Sequence, residues 1–168
     1  VFMINQGEGW AVGDSGIILH YSGGAWGAAY SPVATTLRGL YMLGSADGWA
    51  VGDGGTILRY QGQWTQFGSP TSAALRAVHF LSSSDGWIVG AGGTVLHFDG
   101  TTWTNVATFA TADLNSVSQV NSEEAWAVGN SGAILHWTGF AWYSYSPSPS
   151  LLGSPNLNSI FLLSNGYG

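Results

Sequence analysis

Four histidines, nine carboxylates and three arginines are the side chains of this 168-residue chain able to carry acid–base chemistry, metal ligation or anion recognition; cysteine and lysine are absent. Without cysteine there is no disulfide and no thiolate metal site, and redox compartment cannot be read from the chain. His20, His97 and His136 recur at one position of a repeating pattern, with Arg59 in the corresponding place of the remaining copy and His79 standing alone. Like residues on separate units do not converge on one ion unless they line a common axis, so this set reads as strand-surface residues that pair across strands. Asp47 and Asp85 precede a Gly-Trp pair and Asp14 and Asp53 follow a Val-Gly pair, all turn-like surroundings in which aspartate stabilises the chain locally. A calcium site needs several oxygens converging in one loop, and no such cluster is visible. A glycosidase needs two carboxylates facing each other across a cleft, which depends on the fold rather than on spacing. Neither enzyme activity nor a metal or cofactor is expected.

The elements that position these residues follow from one pattern. Trp10-Ala-Val-Gly, Trp49-Ala-Val-Gly, Trp87-Ile-Val-Gly and Trp126-Ala-Val-Gly lie 39, 38 and 39 residues apart. A period near 40 marks a repeat protein. Each copy reaches a second tryptophan (Trp26, Trp64, Trp103 or Trp142) two or three residues beyond its last glycine. Upstream, Leu37-Arg-Gly-Leu-Tyr-Met-Leu is echoed from Leu75, Leu114 and Leu157. The segments are short, β-branched and aromatic, and punctuated by Gly, Asp, Ser and Pro, as in strands joined by tight turns. In the second copy the strands are expected at 37–43, 49–52, 56–60 and 63–67. Between the second and third strands stand Asp14-Ser-Gly, Asp53-Gly-Gly, Ala91-Gly-Gly and Asn130-Ser-Gly, residues suited to positive φ. No stretch carries a helical period.

Four short antiparallel strands per repeat of about 39 residues describe an all-β propeller, built of four-stranded blades whose faces bury one another. The repeats run about 1–36, 37–74, 75–113 and 114–156 within a single domain, and 157–168 starts a further blade or closes the ring. Trp10, Trp49, Trp87 and Trp126 are expected between blades, as structural core. Trp26, Trp64, Trp103 and Trp142 fall on the outermost strand, where an aromatic is available to a sugar or a partner. Arg38, Arg76, Asn115 and Asn158 share one position near the start of the innermost strand, by the mouth of the central channel. There the two arginines could hold a partner's carboxylate through paired hydrogen bonds that lysine does not match.

The stretch Gly48-Trp-Ala-Val-Gly-Asp-Gly-Gly-Thr-Ile-Leu-Arg-Tyr-Gln-Gly-Gln-Trp64 resembles the repeat of the photosystem II assembly-factor propellers and of BNR-like bacterial propellers more widely. The resemblance covers essentially the whole chain and implies the propeller architecture and a tendency to bind protein. Function does not follow from it, because propellers host many unrelated activities. One departure stands out: the longer Asp-Gly-Gly-x-Thr-Trp turn usual in that family is approached only by Asp99-Gly-Thr-Thr-Trp103. Sialidase-type propellers would bring an arginine cluster, a tyrosine nucleophile and a Ser-x-Asp-x-Gly-x-x-Trp box, of which Ser83-Ser-Asp-Gly-Trp87 is a partial echo.

Composition narrows the partners. With 45% hydrophobic, 14% aromatic and only 7% charged residues, the chain can bury a core but carries far fewer charges than the ~25% usual for a soluble domain. A formal charge of −6 without a basic stripe excludes a nucleic-acid backbone as ligand. A Ser/Thr/Gly-rich surface of low charge points to an extracellular or cell-surface protein, or to a subunit covered by its neighbours in an assembly. No run is long enough to insert into a membrane. The last inter-repeat segment, from Tyr143 to Asn156, is rich in Pro and Ser and is expected as a surface loop presenting Tyr143, Tyr145, Leu151 and Leu152 as a contact patch. Residues 160–168 align with residues 1–9, which allows ring completion within one chain, pairing of two chains, or strand exchange into an open polymer. The expected function is thus a non-catalytic module for protein interaction or self-assembly, its partner itself or another protein. The alternative is a lectin-like propeller stacking its repeated aromatics on glycans.

Overall fold

The computed structural model describes residues 1–145 and 154–163. It holds four sheets of four strands, each a plain up-and-down meander. Blade 1 comprises β1 (Phe2–Asn5), β2 (Glu8–Val12), β3 (Ile18–Ser22) and β4 (Ala25–Ala29). Blade 2 comprises β5 (Leu37–Gly44), β6 (Asp47–Gly52), β7 (Ile57–Tyr60) and β8 (Trp64–Gln66). Blade 3 runs through β9 (Leu75–Ser82), β10 (Asp85–Gly90), β11 (Val95–Phe98) and β12 (Trp103–Asn105), and blade 4 through β13 (Leu114–Asn121), β14 (Glu124–Gly129), β15 (Ile134–Trp137) and β16 (Trp142–Ser144). The all-β propeller architecture read from the repeat is present, with strand limits shifted by one or two residues. Two compact units divide the chain, Val1–Val78 and His79–Gly168, the division falling inside β9.

The link between second and third strands is a single 3₁₀ turn in every blade, as in Asp53–Gly55. Its middle residue has positive φ whether it is Gly54 (66°) or Ser15 (55°). The third residue is more constrained. Gly55 has φ of 72°, and a Cβ there would lie 1.8 Å from the Thr71 carbonyl oxygen of the following linker. Glycine is required twice over, by backbone conformation and by close approach.

Alternation along each strand buries one face against the neighbouring blade. In the first unit Trp10, Ile18, Leu37, Met42, Ala50, Leu58 and Trp64 form one buried cluster, with Phe2, Val33, Leu40 and Tyr60 packed around it. Blades 1 and 2 are joined at their inner ends by a backbone bond, Leu37 N–H donating to Gly13 O at 3.0 Å, and within blade 2 the β5–β6 ladder is extended by Asp53 N–H donating to Thr36 O at 2.9 Å. Blade 4 extends its β13–β14 ladder in the same way, Asn130 N–H donating to Asp113 O at 2.8 Å.

The segment 154–163, aligned by its sequence with the innermost strands, belongs to no sheet. It nonetheless lies where such a strand would start. Leu157 N–H donates to Gly129 O at 2.9 Å, as Leu37 does to Gly13, while Ile160 and Leu162 N–H donate to Ser116 and Ser118 Oγ at 3.2 and 3.1 Å.

Candidate functional site

The third-strand histidines sit directly across from the repeat tryptophans: Trp10 is paired with His20, Trp49 with Arg59, Trp87 with His97 and Trp126 with His136. In each pair the rings or ions stack. Centroids lie 4.1 Å apart for Trp10–His20 and 4.0 Å for Trp126–His136, both nearly parallel, and 4.4 Å for Trp87–His97. The Arg59 guanidinium carbon lies 4.9 Å from the Trp49 ring centre, a cation–π contact in the same place.

A carboxylate completes three of the four stacks. Asp47 takes Arg59 bidentately, at 3.2 and 3.1 Å, Asp85 lies 2.9 Å from His97 Nε2, and Glu8 lies 3.7 Å from His20 Nε2. The sequence expectation that Asp47 and Asp85 act as local turn stabilisers is therefore corrected: strand pairing swings them across the sheet to the basic residue. The signal was available, since an acid stands 12 residues before the His or Arg in all four copies, Glu124 before His136 included. These acids also reach the next blade, where Gln119 Nε2 donates to Asp85 Oδ2 at 3.0 Å and Ser45 Oγ to Glu8 Oε2 at 2.5 Å. The arrangement is a brace between blades. Among the described residues no three His, Asp or Glu side chains gather as metal ligands do.

The rim position carries different chemistry. Arg38 donates from Nε and Nη2 to the two carboxylate oxygens of Asp53, at 2.5 and 2.8 Å. This hydrogen bonding raises the Arg38 pKa and, reciprocally, lowers that of Asp53. Asp53 also feels the charge of Arg76 and Arg38 that of Asp14, so the inner end of the first unit holds two arginines among two aspartates. At the same position of blade 4, Asn115 Nδ2 donates to Asn130 Oδ1 and to Leu157 O, both at 2.9 Å. Asn158 is exposed.

The tryptophans divide otherwise than expected. Trp10, Trp49 and Trp87 are buried and Trp126 is half-buried. Trp64, Trp103 and Trp142 are buried too, at 2%, 4% and 3% exposure, whereas Trp26 is 43% exposed. The expectation that all four outer tryptophans are available for binding is corrected. The outermost strand is exposed along its edge, but its first residue points at the face of the preceding blade. Trp64 meets Trp10 edge-on at 5.5 Å and Trp142 meets Trp87 edge-on at 5.1 Å. A lectin with one aromatic pocket per repeat is not what this describes. Tyr143 and Tyr145 are exposed as expected, Tyr145 with its ring 5.5 Å from Trp126; Leu151 and Leu152 lie outside the described residues.

Residues 61–163 match the family model of the photosynthesis system II assembly factor YCF48. The chain belongs to that family. No curated protein matches it significantly. Among solved structures it is similar to YCF48 bound to D1 peptide, at 19% identity and a TM-score of 0.66, over 88% of this chain and 52% of that one. Similar too are YCF48 from Cyanidioschyzon merolae (16% identity, TM-score 0.67, 94% and 58% covered) and the WD40 repeats of RRP9 (14%, 0.69, 92% and 52%). This chain thus spans a little over half the length of the structures it matches. The expectation of an extracellular or cell-surface protein is overturned by membership of the YCF48 family, which is named for photosystem assembly. A weakly charged surface rich in Ser, Thr and Gly serves a subunit covered by partners as well as a secreted one. No helix of the described residues is long and apolar enough to cross a membrane.

Proposed function

We propose that this chain is a non-catalytic protein-binding propeller segment that holds a peptide of its partner at the inner end of its first unit. One observation carries the reading: a propeller of the family to which the chain belongs has been solved with a peptide, D1, bound to it. On this chain the rim supplies groups that bind a peptide carboxylate. Asp53 fixes the Arg38 guanidinium by its Nε–Nη2 edge, which leaves the Nη1 end to donate to an incoming carboxylate, and Arg76 occupies the same position of the next repeat. Arginine in a fixed fork loses little freedom on binding and pairs with carboxylate in two directions.

The test is anisotropy of fluorophore-labelled D1 peptide titrated with the chain. Saturable binding is expected, weakened at least ten-fold when both Arg38 and Arg76 are replaced by Ala, and reduced by salt because the rim is exposed. Absence of binding, or binding indifferent to both arginines, overturns the proposal.

A further inference from the structure

Three of the four linkers touch back on the turn of the blade they leave, through the residue just before the repeat leucine. In blade 1 Thr36 Oγ1 donates to Asp14 Oδ1 at 3.3 Å. In blade 3 the Gly92 N–H donates to Asp113 Oδ1 at 2.9 Å, and in blade 4 the Ser131 N–H donates to Asn156 Oδ1 at 3.1 Å. Gly92 and Ser131 are the middle residues of their turns, so one backbone donor of the repeat takes a side-chain oxygen in both blades. The oxygen is a carboxylate's in one blade and an amide's in the other.

Blade 2 departs from this pattern. The residue before Leu75 is Ala74, half-buried and without a side-chain oxygen to offer, and the middle residue of the turn, Gly54, is exposed. The side chain that Asp113 lays over the blade 3 turn has no counterpart from Ala74 over Asp53–Gly55. Charge departs from the repeat at the same spot. The Asp53 pKa is lowered by the Arg38 hydrogen bonds first and by the charge of Arg76 as well, so the fields of both arginines reach this turn. In and after blade 4 the positions of Arg38 and Arg76 are held by the neutral Asn115 and Asn158. All of these blade 2 groups lie within residues 37–76, between a complete blade and the linker that leaves it, so the setting does not depend on where the chain begins or ends.

We infer that Ala74 opens a slot over the Asp53–Gly55 turn which an acidic side chain of the bound peptide fills, its carboxylate standing where that of Asp113 stands in blade 3. The inference rests on the reading that the inner end of the first unit holds a peptide, and it names the residue class that the peptide carries there. The carboxylate takes the Gly54 N–H as Asp113 takes that of Gly92, in the field of Arg38 and Arg76. Charge-assisted hydrogen bonds are roughly twice as strong as neutral ones, so aspartate or glutamate is preferred to asparagine. Ala74 acts by being small: a side chain with an oxygen at this position closes the slot from within, as Asp113 and Asn156 do.

The experiment follows the Gly54 amide by nitrogen–proton correlation NMR while the chain is titrated with N-acetyl-aspartate methylamide, and in parallel with the asparagine and leucine analogues. A saturable shift is expected with the aspartate compound, about ten-fold weaker binding with asparagine and no shift with leucine. Ala74→Asp plants the chain's own carboxylate in the slot and abolishes the response with Arg38 and Arg76 intact. Ala74→Asn, copying the residue at 156, does the same and serves where the charged variant folds poorly. Labelled D1 peptide is expected to bind either variant at least about ten-fold more weakly than wild type. A Gly54 amide indifferent to the aspartate compound, an equal response to all three compounds, or an unchanged response in both variants overturns the inference. The two readings fail separately. D1 peptide that does not bind while Gly54 answers the aspartate compound strikes the D1 reading and keeps the slot as a site for an acidic residue. D1 peptide that binds wild type and both variants equally overturns the slot alone.

Discussion

Trp64 and Trp26 hold the same place in the repeat, lean on a tyrosine at nearly the same tilt, and differ in what covers them: one is 2% exposed and the other 43%. The difference teaches that burial in this architecture is a property of the neighbouring blade, not of the strand that carries the residue. The strongest way to test that lesson is to remove the covered ring. Trp64→Ala leaves a cavity beside Trp10 and deletes the edge contact between them, and about 3–5 kcal/mol of stability is expected to go, as for other large-to-small changes in a core. Denaturant unfolding followed by far-UV circular dichroism measures it. A loss below about 1 kcal/mol would mean that the outer tryptophans are not structural.

The linkers allow a second comparison. Gly55 and Gly132 share a φ of 72°, but a Cβ at Gly55 would lie 1.8 Å from the Thr71 oxygen, whereas at Gly132 the nearest atom is 3.9 Å away. Gly55→Ala should then cost about 2–3 kcal/mol, strain plus displacement of the linker, while Gly132→Ala pays the left-handed backbone alone, about 1 kcal/mol. Equal costs would show that the close approach relaxes freely.

How much of this was legible in the sequence depends on whether a residue's environment comes from its own strand or from the next blade. The period of the Trp-x-Val-Gly segments and the Gly-rich turns specify each strand locally, and these were read to within two residues. Local chemistry also sufficed for the positive φ at Gly54 and Ser15. The braces are legible too, as an acid 12 residues before the His or Arg of each repeat, a spacing that a hairpin closes. The fate of Trp64 and Trp142 was not legible from strand order, because an outermost strand reads as exposed until a second sheet is laid over its first residue. The Arg38–Asp53 pair is harder to read, as the two residues stand 15 positions apart across a strand, a hairpin and another strand.

His79 marks how an innermost strand differs from the braces further out. It replaces Tyr41, Ser118 and Phe161 at its position, and burial lowers its pKa. The folded chain favours the neutral ring, so the unfolded chain binds the extra proton first and stability falls as pH drops through about 6.5. His79→Phe, copying the residue at 161, removes that increment. Denaturant midpoints at about pH 7.5 and 5.5 should separate by less in the variant than in wild type. An unchanged separation would assign the slope to other groups.

The smallest effect closes the comparison that began with Trp64. Trp26→Ala removes as large a ring from the same register, yet the ring lies against solvent on one side and Tyr21 on the other, so the dilute chain should lose no more than about 0.5 kcal/mol. A ring covered by a neighbouring blade is stabilising and a ring that faces solvent is not, so Trp64→Ala should cost at least about 2 kcal/mol more than Trp26→Ala. Denaturant unfolding of the two alanine variants side by side measures the difference. A cost for Trp26→Ala that matches that of Trp64→Ala would mean that the strand carrying the ring, not the blade laid over it, sets its contribution.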